Sequence, residues 1–127
     1  MISVIIPALN EGKVLPRTLD GVFSQTLKDI EVIYINDGST DNTNDAIQPY
    51  LDRITYIKHD KNLDKQISRN EGIAASHGAY IFVCDADIVL RPDCLEKMQG
   101  ALEEYPECSF AYSSFRWEWK SFKSYPF

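Results

Sequence analysis

Ala79-Tyr80-Ile81-Phe82-Val83-Cys84-Asp85-Ala86-Asp87 is the stretch on which the reading of this chain turns. The apolar run of strand formers reads as a buried strand. Two carboxylates one residue apart follow at its end, where their like charges repel. They become useful together when a divalent cation, or a phosphate carried on one, sits between them and a ligand. Mg²⁺ or Mn²⁺ takes one or two carboxylates and leaves its other positions to water and phosphate oxygens. A loop in which both aspartates cap nearby backbone N–H groups has the same local sequence, so the surrounding chain decides.

Working outward, Ser3-Val4-Ile5-Ile6 closed by Pro7 predicts a strand over residues 2–6. After Glu11-Gly12, the residues Val14, Leu15, Leu19, Val22 and Phe23 recur at helical spacing to about residue 26, with Pro16 tolerated in the first turn. A second strand spans 31–36. Asp37-Gly38 breaks it, and Ser39 or Thr40 caps a helix expected to run to about Leu51. A third strand spans 54–57. A helix over 65–77 uses Ile67, Ala74 and Ala75 as apolar contacts and stops at Gly78. The strand over 79–84 follows, then a helix opened by Pro92, striped by Leu95, Met98 and Leu102, and ended by Pro106. Cys108 to Ser113 reads as a fifth strand. The tail from Phe115 to Lys120 alternates aromatic and charged residues as a half-buried strand does.

Strand and helix alternate four times, which calls for an α/β domain spanning 1–127 with a mostly parallel sheet and helices on both faces. Ligands of such sheets bind outside the carboxyl ends of the strands. Asn10-Glu11, Asp37, and Asp85 with Asp87 all fall at those ends, so acids distant in sequence are expected on one rim.

Composition narrows the function. At 127 residues the chain buries a core without disulfides, and its net charge of −6 argues against nucleic acid or an anionic membrane as the main partner. The three cysteines, Cys84, Cys94 and Cys108, share no metal-ligand spacing and leave one over in any disulfide scheme. Together with Met1 leading straight into a strand, and no apolar run near membrane-span length, this gives a cytoplasmic expectation, with peripheral attachment to the inner membrane face left open. No G-x-G-x-x-G or P-loop pattern is present.

Taken singly, several candidates are ambiguous. A carboxylate beside Gly38 suits a base N–H or a ribose hydroxyl, yet an Asx turn explains Asp37 as well. Lys65 and Arg69, one helical turn apart, face phosphate or a base edge, or simply solvent. His59 and His77 receive no role. Trp117 and Trp119 read as sheet-edge packing.

Four segments, taken in order, resemble the motifs of family 2 glycosyltransferases: Ser3-Val4-Ile5-Ile6-Pro7-Ala8-Leu9-Asn10-Glu11, Asn36-Asp37-Gly38-Ser39-Thr40-Asp41, Ser68-Arg69-Asn70-Glu71-Gly72 and Asp85-Ala86-Asp87. The resemblance implies a GT-A (Rossmann-like) fold, a nucleotide-sugar donor, a UDP-sugar first among them, and Mg²⁺ or Mn²⁺. It implies that Pro7, Ala8, Asn10 and Glu11 line the nucleotide pocket, that Asp37 bonds the uracil N3–H, and that Arg69 sits near the base. Asp85 then faces the ribose and Asp87 binds the metal. Ile88 stands where many relatives have a further aspartate, which leaves the Asp85-x-Asp87 spacing intact.

The implied reaction is inverting transfer to an acceptor hydroxyl of a glycan, lipid or protein, with a carboxylate as general base. Glu96, Glu103 and Glu104 belong to a packing helix, and neither Glu107 nor Glu118 lies in a matching motif. The base is therefore expected outside this chain, which reads as the donor half of a truncated enzyme, with self-association through an exposed sheet edge bearing Phe115, Trp117 and Trp119. Two other classes share the alternation of strand and helix or the Asp-x-Asp pair. An aspartate-based phosphatase places its Asp-x-Asp loop after the first strand. A receiver-type signalling domain needs an acidic pair after strand one and a lysine after strand five, where Asn10-Glu11 and Ser113-Ser114 stand.

Overall fold

The apolar run that opens the chain becomes the central strand of a four-stranded sheet. The structure is a computed structural model that describes residues 1–114. Strands β1 (Ile2–Ala8), β2 (Ile30–Asn36), β3 (Thr55–Lys58) and β4 (Tyr80–Val83) lie in the order β3-β2-β1-β4, and every neighbouring pair is parallel. Helices α1 (Leu15–Phe23), α2 (Thr43–Ala46), α3 (Lys65–Ala74) and α4 (Cys94–Glu104) connect and flank them, with a 3-10 turn at Gln48–Tyr50.

All seven residues of β1 are buried, as a strand covered on both faces requires. Val4, Ile6 and Ala8 join Val32 and Tyr34 against Leu15, Leu19 and Val22 of α1, Ile47, Tyr50 and Leu95. Ile5, Ile33 and Ile35 turn to the opposite face, which α3 covers. The close approach there depends on Gly72, because a Cβ at that position would meet Ile5 Cγ2 at 2.4 Å and Ile35 Cδ1 at 2.8 Å.

Pro7 lies within β1 rather than ending it. The Ile5 carbonyl accepts from Cys84 N–H and the Ala8 carbonyl from Asp37 N–H, so Pro7 turns its missing donor toward β4, beyond the last ladder pair, Ile5 with Val83. The two strands part at that point.

Several expected elements differ. The helix expected to reach Leu51 breaks into α2 and the 3-10 turn, because Pro49 lacks an N–H and disfavours helical backbone at Gln48. The helix expected to stop at Gly78 ends at Ala74. Gly78 instead lets the chain pass β1, since a Cβ there would meet Ser3 Oγ at 2.5 Å. The buried face of α3 is Ser68 and Gly72, while Ile67 is exposed. The fifth strand over 108–113 is not formed: those residues join no ladder, and Phe110 and Tyr112 are exposed. Apolar residues in an extended run make a strand only where a partner edge is within hydrogen-bonding reach. The expected tail strand, with Phe115, Trp117, Glu118 and Trp119, lies outside the described residues. Among the described residues, no helix is long and apolar enough to cross a membrane.

Candidate functional site

Strand order reverses at β1: β2 and β3 extend from one side of it, and β4 returns to the other. In open α/β sheets the crevice at such a switch point, outside the carboxyl ends of the strands, is where ligands bind. A crevice of about 380 Å³ lies there. Pro7, Ala8, Leu9 and Glu11 line it from the loop after β1, and Asp37 from the end of β2. Asn62, Asp64 and Lys65 contribute from the entry to α3, and Asp85, Ala86 and Asp87 from the loop after β4. Six of the eight residues expected at a donor site thus converge: Pro7, Ala8, Glu11, Asp37, Asp85 and Asp87.

Asn10 and Arg69 are outside that lining. Asn10 adopts φ 57°, and its side-chain oxygen accepts from Thr40 N–H at 2.8 Å and Asp41 N–H at 3.3 Å, while its own N–H donates to Ser39 Oγ. It ties the β1 loop to the β2 loop and shapes the wall indirectly. Arg69 is half-buried one turn beyond Lys65, and its Nε has no hydrogen-bond partner among the described residues.

Much of the remaining motif sequence builds the frame. Asn36 accepts Ser39 N–H at 2.9 Å and donates to Tyr56 Oη at 2.9 Å. Asp41 accepts from Gly12 N–H and Thr43 N–H. Gly38 has φ +76°, and a Cβ there would meet the Lys61 carbonyl carbon at 2.4 Å, so this turn both needs glycine's backbone freedom and abuts the loop before α3. The loop carrying Asp85 and Asp87 is held from α1: Thr18 Oγ1 donates to the Ala86 carbonyl at 2.6 Å, and the buried Gln25 just beyond the helix donates to the Arg91 carbonyl at 2.7 Å and accepts Leu95 N–H at 3.0 Å.

Asp37 is 3% exposed. Its Oδ1 accepts from His59 Nδ1 at 2.7 Å and from Leu63 N–H at 2.8 Å. Burial alone would raise its pKa, but these bonds outweigh it and hold the carboxyl below the ordinary range. The buried Ser68 hydroxyl also favours the charged form, although it makes no hydrogen bond of standard geometry. His59 had no sequence signal of its own; its partners Asp37 and Glu71 are 22 and 12 residues away.

Lys65 Nζ meets Asp85 Oδ1 at 2.6 Å and is the one cation in the lining among the described residues. On the other wall the Glu11 carboxyl is pushed above its ordinary pKa, first by burial and then by the charges of Asp87 and Asp41, with Lys65 offsetting part of it. A carboxyl raised by its acidic neighbours, beside two further carboxylates on one crevice, suits a bound cation. Among the described residues no three ligating side chains converge to hold a metal by themselves. The donor set therefore fits an ion completed by ligand oxygens and water, as Mg²⁺ and Mn²⁺ sites in phosphate-binding proteins are.

A parallel sheet with helices on both faces and an acid-lined crevice at its switch point defines an α/β domain of the Rossmann-like GT-A kind. The chain belongs to glycosyl transferase family 2, which it matches over residues 3–126. It is 36% identical over 102 residues to the poly(ribitol-phosphate) beta-N-acetylglucosaminyltransferase TarP of Staphylococcus aureus (strain N315), covering 76% of this chain and 31% of that protein. Its fold is similar to that of S. aureus TarS 1–349 in complex with UDP (TM-score 0.75, 22% identity, 83% of this chain and 32% of that one). It is equally similar to the mannosyltransferase PcManGT of Pyrobaculum calidifontis in complex with GDP-Man and Mn²⁺ (TM-score 0.74, 24% identity, 80% and 32%). The chain spans about a third of the length of these relatives. With the family assigned, the phosphatase and receiver readings fall away.

Proposed function

We propose that this chain is the donor-binding portion of a glycosyltransferase that holds a nucleotide-diphospho-sugar, a UDP-sugar first among them, with Mg²⁺ or Mn²⁺ on the diphosphate. The observation that carries this reading is the convergence of Glu11, Asp37, Asp85 and Asp87, from three strand ends, on one crevice. The UDP held by TarS and the GDP-Man and Mn²⁺ held by PcManGT support it.

In this reading each wall has a task. Asp37, with Oδ1 committed to His59 and Leu63, offers Oδ2 to a base N–H, which uracil N3 and guanine N1 provide and cytosine N3 does not. Asp85 takes the ribose hydroxyls, and the Lys65 ammonium that its Oδ1 holds at 2.6 Å also meets phosphate oxygens. Pro7 and Ala8 pack against the nucleoside, and Arg69 adds positive charge beyond the base. Asp87 holds the ion, with Glu11 close enough to feel its charge. When bound, the divalent ion stabilises the charge that grows on the departing diphosphate. The acceptor and the carboxylate base that completes inverting transfer belong to the length of the family outside the third matched here, so this chain alone turns over no donor.

Calorimetric titration with UDP, GDP and dTDP, each with and without Mn²⁺, tests the assignment. Asp87→Ala is expected to remove the metal-dependent gain in affinity, and Asp37→Ala to weaken UDP about tenfold with or without metal, as loss of one hydrogen bond to a charged group does. UDP affinity indifferent to Mn²⁺ and to both substitutions sinks the reading. Turnover of a nucleotide sugar by this chain sinks its donor-only part.

A further inference from the structure

His59 is 9% exposed and lies between two carboxylates. It follows β3 directly, and its backbone N–H donates to the Asn36 carbonyl at 2.9 Å, so the β2–β3 pairing fixes where the ring enters. Nδ1 stands 2.7 Å from Asp37 Oδ1, and Nε2 stands 2.5 Å from Glu71 Oε2. A neutral imidazole has one N–H and would turn a lone pair toward one of these oxygens. The imidazolium donates to both.

We propose that His59 is the positioning residue for nucleoside recognition: an imidazolium held between Asp37 and Glu71 that fixes the Asp37 carboxylate for the base, so that donor affinity falls when the proton leaves. The inference rests on Asp37 being the nucleoside ligand. Two bonds, from His59 and Leu63, converge on Oδ1 and set the carboxylate plane, leaving Oδ2 for the crevice that Asp37 lines. The charged groups facing His59 are Asp37 from the end of β2 and Glu71 from α3. Bonding to Asp37 raises the His59 pKa, burial opposes it, and Glu71 adds to the rise. Glu71 is 44% exposed, so the relay runs from the crevice to solvent, and the proton has a route out. Above the raised pKa one N–H must serve two acceptors, and Asp37 loses its hold for part of the time.

The chain has two histidines, His59 and His77, so the side-chain nitrogens are assigned by NMR without ambiguity. Both His59 nitrogens are expected to carry protons at pH 7, with a titration midpoint above 6.5; a single N–H at pH 7 overturns the proposal. UDP affinity is then measured against pH. Glu71→Gln is expected to move the midpoint of its decline about one unit toward acid, the usual effect of one nearby opposite charge, while affinity for Mn²⁺-pyrophosphate stays unchanged. An unmoved profile overturns the proposal. His59→Asn is expected to weaken UDP about tenfold and flatten the pH profile; should that variant not fold, the NMR and Glu71→Gln results decide. If Asp37→Ala itself leaves UDP affinity intact, the nucleoside reading fails and takes this inference with it. If Asp37→Ala weakens UDP while the pH profile ignores Glu71→Gln, only the positioning role of His59 fails.

Discussion

Lys65 and Asp85 face each other across the crevice with side chains 51% and 46% exposed, so their ion pair adds little to stability, no more than about 1 kcal/mol. Its weight is electrostatic: it places one positive charge among Glu11, Asp85 and Asp87. Lys65→Met is therefore expected to leave thermal stability nearly unchanged and to tighten Mn²⁺ alone by roughly threefold, the size of one unit charge removed at a solvated distance. The same change weakens UDP in the absence of metal. Calorimetry with each ligand separately checks the opposed signs; a parallel gain or loss in both would show that the effect of Lys65 is not electrostatic. Residue types and spacing made this site legible: carboxylates at strand ends and cations one turn apart survive as signals without coordinates. His59 did not, because a lone histidine between polar neighbours has neither a period nor a local partner. Asn10 was legible as important but not in its role, since the N–H groups that donate to its side chain lie about thirty residues on, in the loop that it fastens.

At the scale of elements, the loop that carries Asp85 and Asp87 owes its position to α1 and the turn just after it. Gln25 is fully buried and bridges the Arg91 carbonyl and the Leu95 N–H, binding the start of α4 to the end of α1. Gln25→Leu leaves the Leu95 N–H without its partner and takes one of two bonds from the Arg91 carbonyl, which still accepts from Cys94 N–H, and a loss of about 1–3 kcal/mol in chemical denaturation is expected. Thr18→Val deletes only the bond to the Ala86 carbonyl, so its expected signature is a smaller stability loss with a larger drop in Mn²⁺-dependent UDP affinity. Gly72→Ala would press α3 off Ile5 and Ile35, costing about 1–3 kcal/mol. The four strands were legible as short apolar runs and α1 and α4 by the helical spacing of their apolar residues, whereas α3 buries Ser68 and Gly72, which carry no apolar period. The anchoring polar residues were not, since Thr18 and Gln25 interrupt the α1 pattern rather than extend it. Pro49 went unread in a helix expected to reach Leu51, and the start of that helix falls at Asn42, not at Ser39 or Thr40. Cys108–Ser113 shows the converse limit, because an apolar run records residues to be buried without supplying the edge to pair with.

Across the whole molecule, the two ends of the sheet carry opposite assignments. At the amino ends of the strands Glu31 accepts from Ser3 Oγ and from the N–H groups of His77 and Gly78, joining β1, β2 and the approach to β4. Burial would raise its pKa, but these bonds carry it down to about 2. A depressed carboxyl stabilises the fold above its unfolded pKa near 4.5, and that stabilisation is lost as pH falls through about 2. Glu31→Gln should therefore cost about 2 kcal/mol at pH 7, with the gap to the unsubstituted chain closing between pH 4.5 and 2. The carboxyl ends of the strands hold the crevice, and their stability responds to ligand instead. At one hundred times Kd, UDP with Mn²⁺ is expected to add about 2.7 kcal/mol by mass action, a rise in Tm of roughly 10 °C for a chain of this size. Because Glu31 touches none of the crevice residues, its loss and the ligand's gain should add: Glu31→Gln lowers Tm, yet the increment from UDP and Mn²⁺ at fixed multiples of Kd stays the same. Thermal scans of both chains with and without ligand measure this directly. An increment that shrinks with Glu31→Gln would mean that the parallel strands transmit strain along their length, and that the crevice is not an independent site built on a rigid sheet.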